Sequence, residues 1–419
     1  MLSLSAMIAT TVNLYKNAYN GLSRRMWLLA LVMLVNRSGT MVLPFMTLYC
    51  NHRGYTETQG GLAVAIYGIG AIVGAFLGGK ITDKWGFYNV QLAALCGGGM
   101  MFIVLGQMNS YLGICICIFF TSMINESFRP ANASAVAHYS TPETRTQSFS
   151  LVRLAINMGW GVGSALAGFL SARSYSYLFW VDGFTNISAG LLLLLILPRV
   201  TIGQQKKAVH ATDVKVTSPY RDKIFIIFIG FMLLFALCFF QLFTTVPVYF
   251  KKGLHLDEDM IGLIMAFNGI LIAVLEMVIV FNLEGRKTYL QLMTYGTLLV
   301  ALSFFVLNLP LVSGFIVACI AVLIVTFGEI IGMPFMNSYY ISRSTAANRG
   351  QYAALFTMAW STAQVIGSLT GSQIAHSLGF HFLWWVIGGI CLLTAYGFYY
   401  LNRRPVAAAF VKEQGASGS

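Results

Sequence analysis

Among the ionisable side chains inside long apolar runs of this sequence, six stand out: Arg37, Glu126, Arg129, Arg153, Glu276 and Glu329. A charged group held in an apolar medium is costly unless it is paired, so such residues are expected to have a function. They are three bases and three acids, which permits mutual neutralisation; a bridge that only fixes helix contacts is the alternative use of the same pairs. An arginine fork reads a carboxylate bidentately, and a glutamate reads an ammonium. Arg37 and Arg129 facing Glu329 would therefore suit a zwitterionic or carboxylate-bearing solute. Glu126 and Glu329 are the leading carriers of a proton, since a carboxyl taken out of water holds its proton more readily. Direct pairing with Arg37 or Arg129 would oppose that.

The neighbours of these residues extend the polar set. Asn36 adjoins Arg37, and helical spacing puts Ser122, Asn125 and Asn132 on the face of Glu126 and Arg129. Tyr67, Asn157, Gln241, Trp360 and Gln364 are further candidates for lining a binding cavity, or else ordinary interior residues. Arg153 and Glu276 stand nearer the ends of their runs, where they can snorkel or bridge to neighbours in a structural or gating role.

The elements that must hold these groups are apolar runs near 27–49, 60–79, 89–108, 110–138, 148–171, 177–198, 224–250, 260–281, 288–308, 311–340, 351–374 and 381–401. Each is close to the roughly 20 residues that a membrane-crossing helix needs. Only 10% of the chain is charged and 57% is hydrophobic, against about 25% charged in soluble domains. The formal net charge of +12 could suggest nucleic acid. Its distribution points elsewhere: with an internal N-terminus, most Lys and Arg fall in cytoplasmic segments, as the positive-inside rule requires. Nucleic acid is thus excluded as a partner, and the basicity is topological. Residues 1–25 carry no cleavable secretory signal. The seven cysteines lack metal-ligand spacing and read as small buried hydrophobes. The six histidines are scattered, and no H-E-x-x-H, P-loop or nucleophile elbow occurs, so neither an enzyme nor an ATP-driven pump is expected.

The longest polar segment, residues 199–223, divides the runs six and six. A shift of 204 residues aligns Pro130 with Pro334, Arg145 with Arg349, Gln147 with Gln351, Gly163 with Gly367 and Trp180 with Trp384, which marks an internal repeat. Pro44, Pro130, Pro247 and Pro334 fall in runs 1, 4, 7 and 10. Proline kinks a helix where neighbours or a cavity satisfy the freed carbonyl. A kinked helix opening every group of three matches nested three-helix repeats. The expected fold is an all-α membrane protein of twelve transmembrane helices in two pseudo-symmetric bundles, 1–198 and 224–419, joined by a cytoplasmic linker, 199–223. Both termini would be cytoplasmic.

Between runs 2 and 3 stands Gly79-Lys80-Ile81-Thr82-Asp83-Lys84-Trp85-Gly86-Phe87-Tyr88. It resembles the loop motif G-x-L-A-D-R-x-G-R-K of the major facilitator superfamily. Gly79 and Gly86 allow a tight turn and close approach, Asp83 can accept helix-end N–H groups, and Lys84 supplies a basic partner. Phe87 and Tyr88 depart from the motif's basic pair, and the second-half counterpart, Asn282 to Lys287, is degenerate. The resemblance implies a gating latch. It also implies that runs 1, 4 and 10 line a central cavity, so that Arg37, Arg129 and Glu329 would meet there.

Two narrower resemblances compete. Gly328-Glu329-Ile330-Ile331-Gly332-Met333-Pro334, Phe128-Arg129-Pro130-Ala131-Asn132, Asn36-Arg37 and Phe149 through Gly159 are similar to signatures of the proton-dependent oligopeptide transporters. Met33 and Asn36 replace the two glutamates which that family carries in its first helix, and Arg153 and Trp160 break its fifth-helix signature. Gly159 to Gly168 resembles the glycine-rich fifth helix of drug–proton antiporters, with Ser164 where proline would stand. The reading that follows is a monomeric secondary transporter in a bacterial inner membrane. A proton gradient rather than a cofactor would drive it, and it would take up a small zwitterionic or peptide-like solute by alternating access. Export of amphipathic compounds against protons is the alternative.

Overall fold

The computed structural model describes residues 4–200, 218–309 and 313–403. Among these the chain is helical throughout, apart from turns and loops, with one 3-10 turn at Pro219–Arg221. In chain order the helices are α1 (Leu4–Tyr19), α2 (Arg24–Ser38), α3 (Val42–His52), α4 (Glu57–Trp85), α5 (Phe87–Gly106), α6 (Tyr111–Glu126), α7 (Phe128–Tyr139), α8 (Arg145–Ser171) and α9 (Ser176–Ile196). After the segment that joins the halves come α10 (Lys223–Phe239), α11 (Gln241–Lys252), α12 (Glu258–Leu283), α13 (Tyr289–Val306), α14 (Gly314–Arg343), α15 (Arg349–Leu378) and α16 (Phe380–Asn402).

Eleven segments are long and apolar enough to cross a membrane, the pairs α2–α3, α6–α7 and α10–α11 each counting as one interrupted span. The 30-residue α15 stands outside that set because Ser, Thr and Gln interrupt its apolar run, yet it has the length of a span. With α15 the expected twelve are present. The helix α1 precedes them and was not expected. Most of the expected linker, residues 201–217 with Lys206, Lys207 and Lys215, and the tail from 404 onward lie outside the described residues.

Helix starts follow local chemistry. Thr56 and Gln59 form a capping box at α4, and Thr288 and Gln291 form another at α13. Ser23 caps α2 and Asp222 caps α10. Each satisfies backbone donors that the first helical turn leaves free. Leu112, Leu195, Leu263 and Tyr396 project outward, their side chains well exposed. An outward face of this kind is stable in lipid and not in water.

The described residues divide into two compact units. One draws on Leu22–Arg221 and Ile341–Thr362, the other on Met1–Gly21, Asp222–Tyr340 and Ala363–Ser419. The division differs from the expected halves in two places: α1 joins the second unit, and the start of α15 joins the first. Within the first unit α2 packs on α8, α4 on α6 and α5 on α9. Within the second, α16 packs on α13 and α10, and α1 lies against α12, where the Tyr15 hydroxyl donates to the Val274 carbonyl at 2.9 Å.

The four prolines act differently from one another. Span 1 is interrupted over Gly39–Met41 and span 4 at Ser127, each just before its proline. Pro44 and Pro130 are each the third residue of the helix that follows, in the first turn, where a missing N–H removes no helical bond. Span 7 breaks at Phe240, well before Pro247, which lies inside α11. Pro334 lies inside α14, and span 10 runs on without a break.

Candidate functional site

The interruption of span 1 is the centre of the site. Gly39 and Thr40 turn back on the Arg37 carbonyl, the Thr40 N–H donating to it at 3.2 Å. The next two donors, the N–H groups of Met41 and Val42, have left the helix and donate to Asp182 Oδ2 at 3.2 and 3.1 Å. Asp182 lies on α9 and is 3% exposed. One turn along α9, Asn186 donates to the Asp182 carbonyl at 2.8 Å and to Asp182 Oδ1 at 3.3 Å. Asn186 Oδ1 in turn accepts from Asn36 Nδ2 at 2.8 Å. An Asp/Asn pair on α9 thereby grips span 1 on both sides of its break.

Arg37, the residue next to Asn36, lines a cavity of about 30 Å³ with Thr40, Tyr67, Asn125, Glu126 and Asp182 among its walls. This is room for water rather than for a solute in this conformation. The backbone beneath Arg37 is pressed onto α8: a Cβ on Gly159 would stand 2.7 Å from Arg37 Cβ. Gly159 and Gly163 of the glycine-rich stretch are thus the seat of span 1. Across the cavity Glu126 ends α6, and Nε of Arg129, in the first turn of α7, meets Glu126 Oε2 at 2.6 Å. The Tyr67 hydroxyl is 3.5 Å from Glu126 Oε1, held there because the Tyr67 carbonyl accepts from Ser122 at 2.5 Å. Arg37 Nε and Asn125 Nδ2 are buried and have no hydrogen-bond partner among the described residues. Such donors are costly to leave unmade, and they mark the cavity as able to receive an acceptor.

Other expectations are redistributed. The single polar face expected on span 4 is divided by the break at Ser127: Asn132 is taken up by Gln91 Nε2 of α5 at 3.2 Å. Asn157 is half-buried on α8, and Trp360 packs its ring 6.2 Å from that of Phe356. In the second unit Glu329 is 1% exposed, and one of its oxygens lies 3.3 Å from Asn268 Nδ2. Gln241 is fully occupied at the break of span 7: its amide donates to the Leu237 and Gly367 carbonyls at 3.1 and 2.8 Å and accepts from Thr245 at 2.8 Å. Gln364 is exposed on α15. Four of the cysteines, Cys50, Cys117, Cys238 and Cys391, are buried and three are only partly so; all seven are free thiols. Asp182 is absent from the six in-span charges counted from the sequence; its place inside the apolar run 177–198 was the signal available.

The loop motif also takes a definite geometry. Gly86, at φ 85°, ends α4 and starts α5, a backbone setting that favours glycine. The Asp83 carboxylate accepts from the N–H groups of Gly350 and Gln351 at 2.7 and 3.0 Å, and from Gln351 Nε2 at 3.1 Å. It thus sits on the first turn of α15, where the helix dipole favours a negative charge. A Cβ on Gly79 would stand 2.5 Å from the Gly350 carbonyl, so glycine permits the approach. Lys84 is exposed.

Twelve long helical segments among the described residues, three of them interrupted and one interruption flanked by buried charges, define a multi-pass membrane protein. The chain belongs to the Major Facilitator Superfamily, whose sequence model matches residues 26–363. It is 23% identical over 400 residues to a Na(+), Li(+), K(+)/H(+) antiporter of Planococcus maritimus, covering 88% of this chain and 92% of that one. It is 25% identical over 323 residues to the class D tetracycline resistance protein of Salmonella ordonez, covering 74% and 78%. The human organic anion transporter MFSD10 (TETRAN) superposes with a TM-score of 0.70 at 14% identity, over 90% of this chain and 99% of that one. That likeness concerns the fold.

Proposed function

We propose that this protein is a proton-coupled carrier of a small zwitterionic or carboxylate-bearing solute, peptide-like in its simplest form, working as a monomer by alternating access. The observation that supports this best is the Glu126–Arg129 ion pair, 2.6 Å long, whose Glu126 lines the same cavity as Arg37. While Glu126 is ionised it occupies Arg129. Once Glu126 is protonated, Arg129 loses its carboxylate partner, and Arg37 faces a cavity with one carboxylate charge fewer. A solute carboxylate restores the balance and also receives the unmade Arg37 Nε donor. Proton and solute therefore load together. Glu329, with Asn268 beside it, is the proposed acceptor for an ammonium group. In the membrane both termini lie in the cytoplasm, and Asp83 with Gly79, Lys84 and Gly86 works as the gating latch.

A second reading, export in exchange for protons, draws on the similarity to the cation/proton antiporter and to the tetracycline resistance protein. Purified protein in liposomes under an imposed proton gradient separates the two. Accumulation of a labelled dipeptide down an inward proton gradient is the expected result. Movement of an amphipathic dye or of Na+ against the proton flow, with no dipeptide uptake, would replace the first reading by the second. If Glu329→Gln leaves both transport and its pH dependence intact, the role given to Glu329 is wrong.

A further inference from the structure

Asp182 is the buried carboxylate to which neither the family motif nor the ion-pair reading gives work. Its two strongest bonds go to backbone, to the N–H groups of Met41 and Val42. In an unbroken helix those two donors would return to the carbonyls four residues back, which are those of Arg37 and Ser38. Asp182 therefore competes with the helix for the same donors. The break exists where a carboxylate, the stronger acceptor, wins over two backbone carbonyls.

The competition is local and has a defined geometry. Asn186 donates to Asp182 Oδ1 and in turn accepts from Asn36 of α2, so the carboxylate is held on α9 and oriented toward the break. Gly39 lets the break lie against α9, where a Cβ would stand 2.7 Å from Thr185 Cβ. Beyond the break, Tyr49 of α3 packs edge-on to Phe179 of α9, centroids 4.7 Å apart. Re-forming the helix through residues 39–41 would turn α3 about its axis relative to α2 and pull that contact apart. It would also change where the last turn of α2, which ends with Arg37 and Ser38, directs its side chains.

We propose that Asp182 is the positioning residue of the site: by drawing the N–H groups of Met41 and Val42 away from the carbonyls at the end of α2, it keeps span 1 broken so that Arg37 faces the cavity. The inference deepens the proposed function, since it supplies the cause of the Arg37 placement on which that reading rests. Asp182 carries neither solute nor proton in this scheme. Its loss weakens solute binding through Arg37 and leaves the maximal rate at saturating solute less affected.

The test reads Arg37 without needing a solute. In Arg37→Cys protein reconstituted in lipid nanodiscs, the rate at which a hydrophilic thiol reagent modifies position 37 is followed by peptide mass spectrometry. Adding Asp182→Asn is expected to lower that rate at least tenfold. The asparagine amide can present one oxygen to Met41 and Val42, but it then turns its NH2 toward the Asn186 NH2 and breaks the chain to Asn36. Asn186→Ala, which keeps the charge and removes its anchor, gives a smaller fall and serves if Asp182→Asn does not fold. Hydrogen exchange over residues 38–45 should slow in Asp182→Asn as the helix re-forms. Unchanged modification at position 37 together with unchanged exchange overturns the proposal. With Arg37 in place, Asp182→Asn should raise the half-saturating concentration of a transported dipeptide at least tenfold with a maximal rate within threefold. If the unaltered protein transports no dipeptide while position 37 still responds to Asp182, the proposed function fails and this inference stands.

Discussion

The two units resolve the same problem, an interrupted membrane helix, with different chemistry. At the break of span 1 the freed backbone donors go to a carboxylate, Asp182, beside Arg37. At the break of span 7 the work is done by an amide, Gln241, which satisfies the carbonyls of Leu237 and Gly367 and is itself satisfied by Thr245. The amide site is closed, since each of its polar groups has a partner. The carboxylate site is open, since Arg37 Nε and Asn125 Nδ2 remain unmade next to it. A neutral, saturated network fixes structure and does little else. A charged and unsaturated one can exchange partners, and that is what coupling between a proton and a solute requires.

The largest expected effect tests the open site. Glu126→Gln should lower gradient-driven accumulation about 100-fold, equivalent to about 2.7 kcal/mol, while exchange of solute across the membrane without a gradient persists. Equal loss of both would mean that Glu126 only holds Arg129 in place. Next, Gln241→Leu should cost about 2–3 kcal/mol of stability by removing the side chain's hydrogen bonds to the Leu237 and Gly367 carbonyls and from Thr245, read as a lower Tm in detergent. Because an amide does not titrate, that loss should be the same from about pH 5 to pH 8. A pH-dependent loss would break the contrast between the two sites. Gly371→Ala should act on the same site by overpacking: its Cβ would stand 2.6 Å from Gln241 Cδ, at a cost of about 1–3 kcal/mol. The smallest effect is expected at Lys84→Ala, within about 0.5 kcal/mol, since that side chain is exposed. A large effect there would show the basic motif position pairing in another conformation.

The fold was legible because its signals are local. Apolar runs of span length, a constant shift between halves and prolines in every third run require no knowledge of contacts. The placement of the breaks was only half legible. Proline marks the neighbourhood, but Pro44 and Pro130 lie just inside the helix that follows, because the first turn is where proline removes no bond. In span 10 the same residue is absorbed without interruption. The ion pair was legible as an i,i+3 spacing on span 4, even though a break separates its members. Asp182 was not. A lone acid near the end of an apolar run has the appearance of a loop residue, and its partners are backbone donors more than a hundred positions away. Gln241 shows the same limit: type and location suggest a lining group, and its bonds to Leu237, Gly367 and Thr245 across the adjoining break are not visible in the sequence.

The lengths of the helices bear on the lipid this protein needs. At about 1.5 Å per residue, the 18-residue α13 reaches only about 27 Å, short of a hydrocarbon layer of about 30 Å. The 29 residues of α4 and the 30 of α14 greatly exceed it. The short helix fixes how thick the surrounding membrane can be before that side of the bundle must thin the bilayer, and the long ones must tilt or project into water. Phospholipids with shorter acyl chains are therefore the natural choice for reconstitution, and thicker membranes should depress turnover before any residue of the cavity is touched.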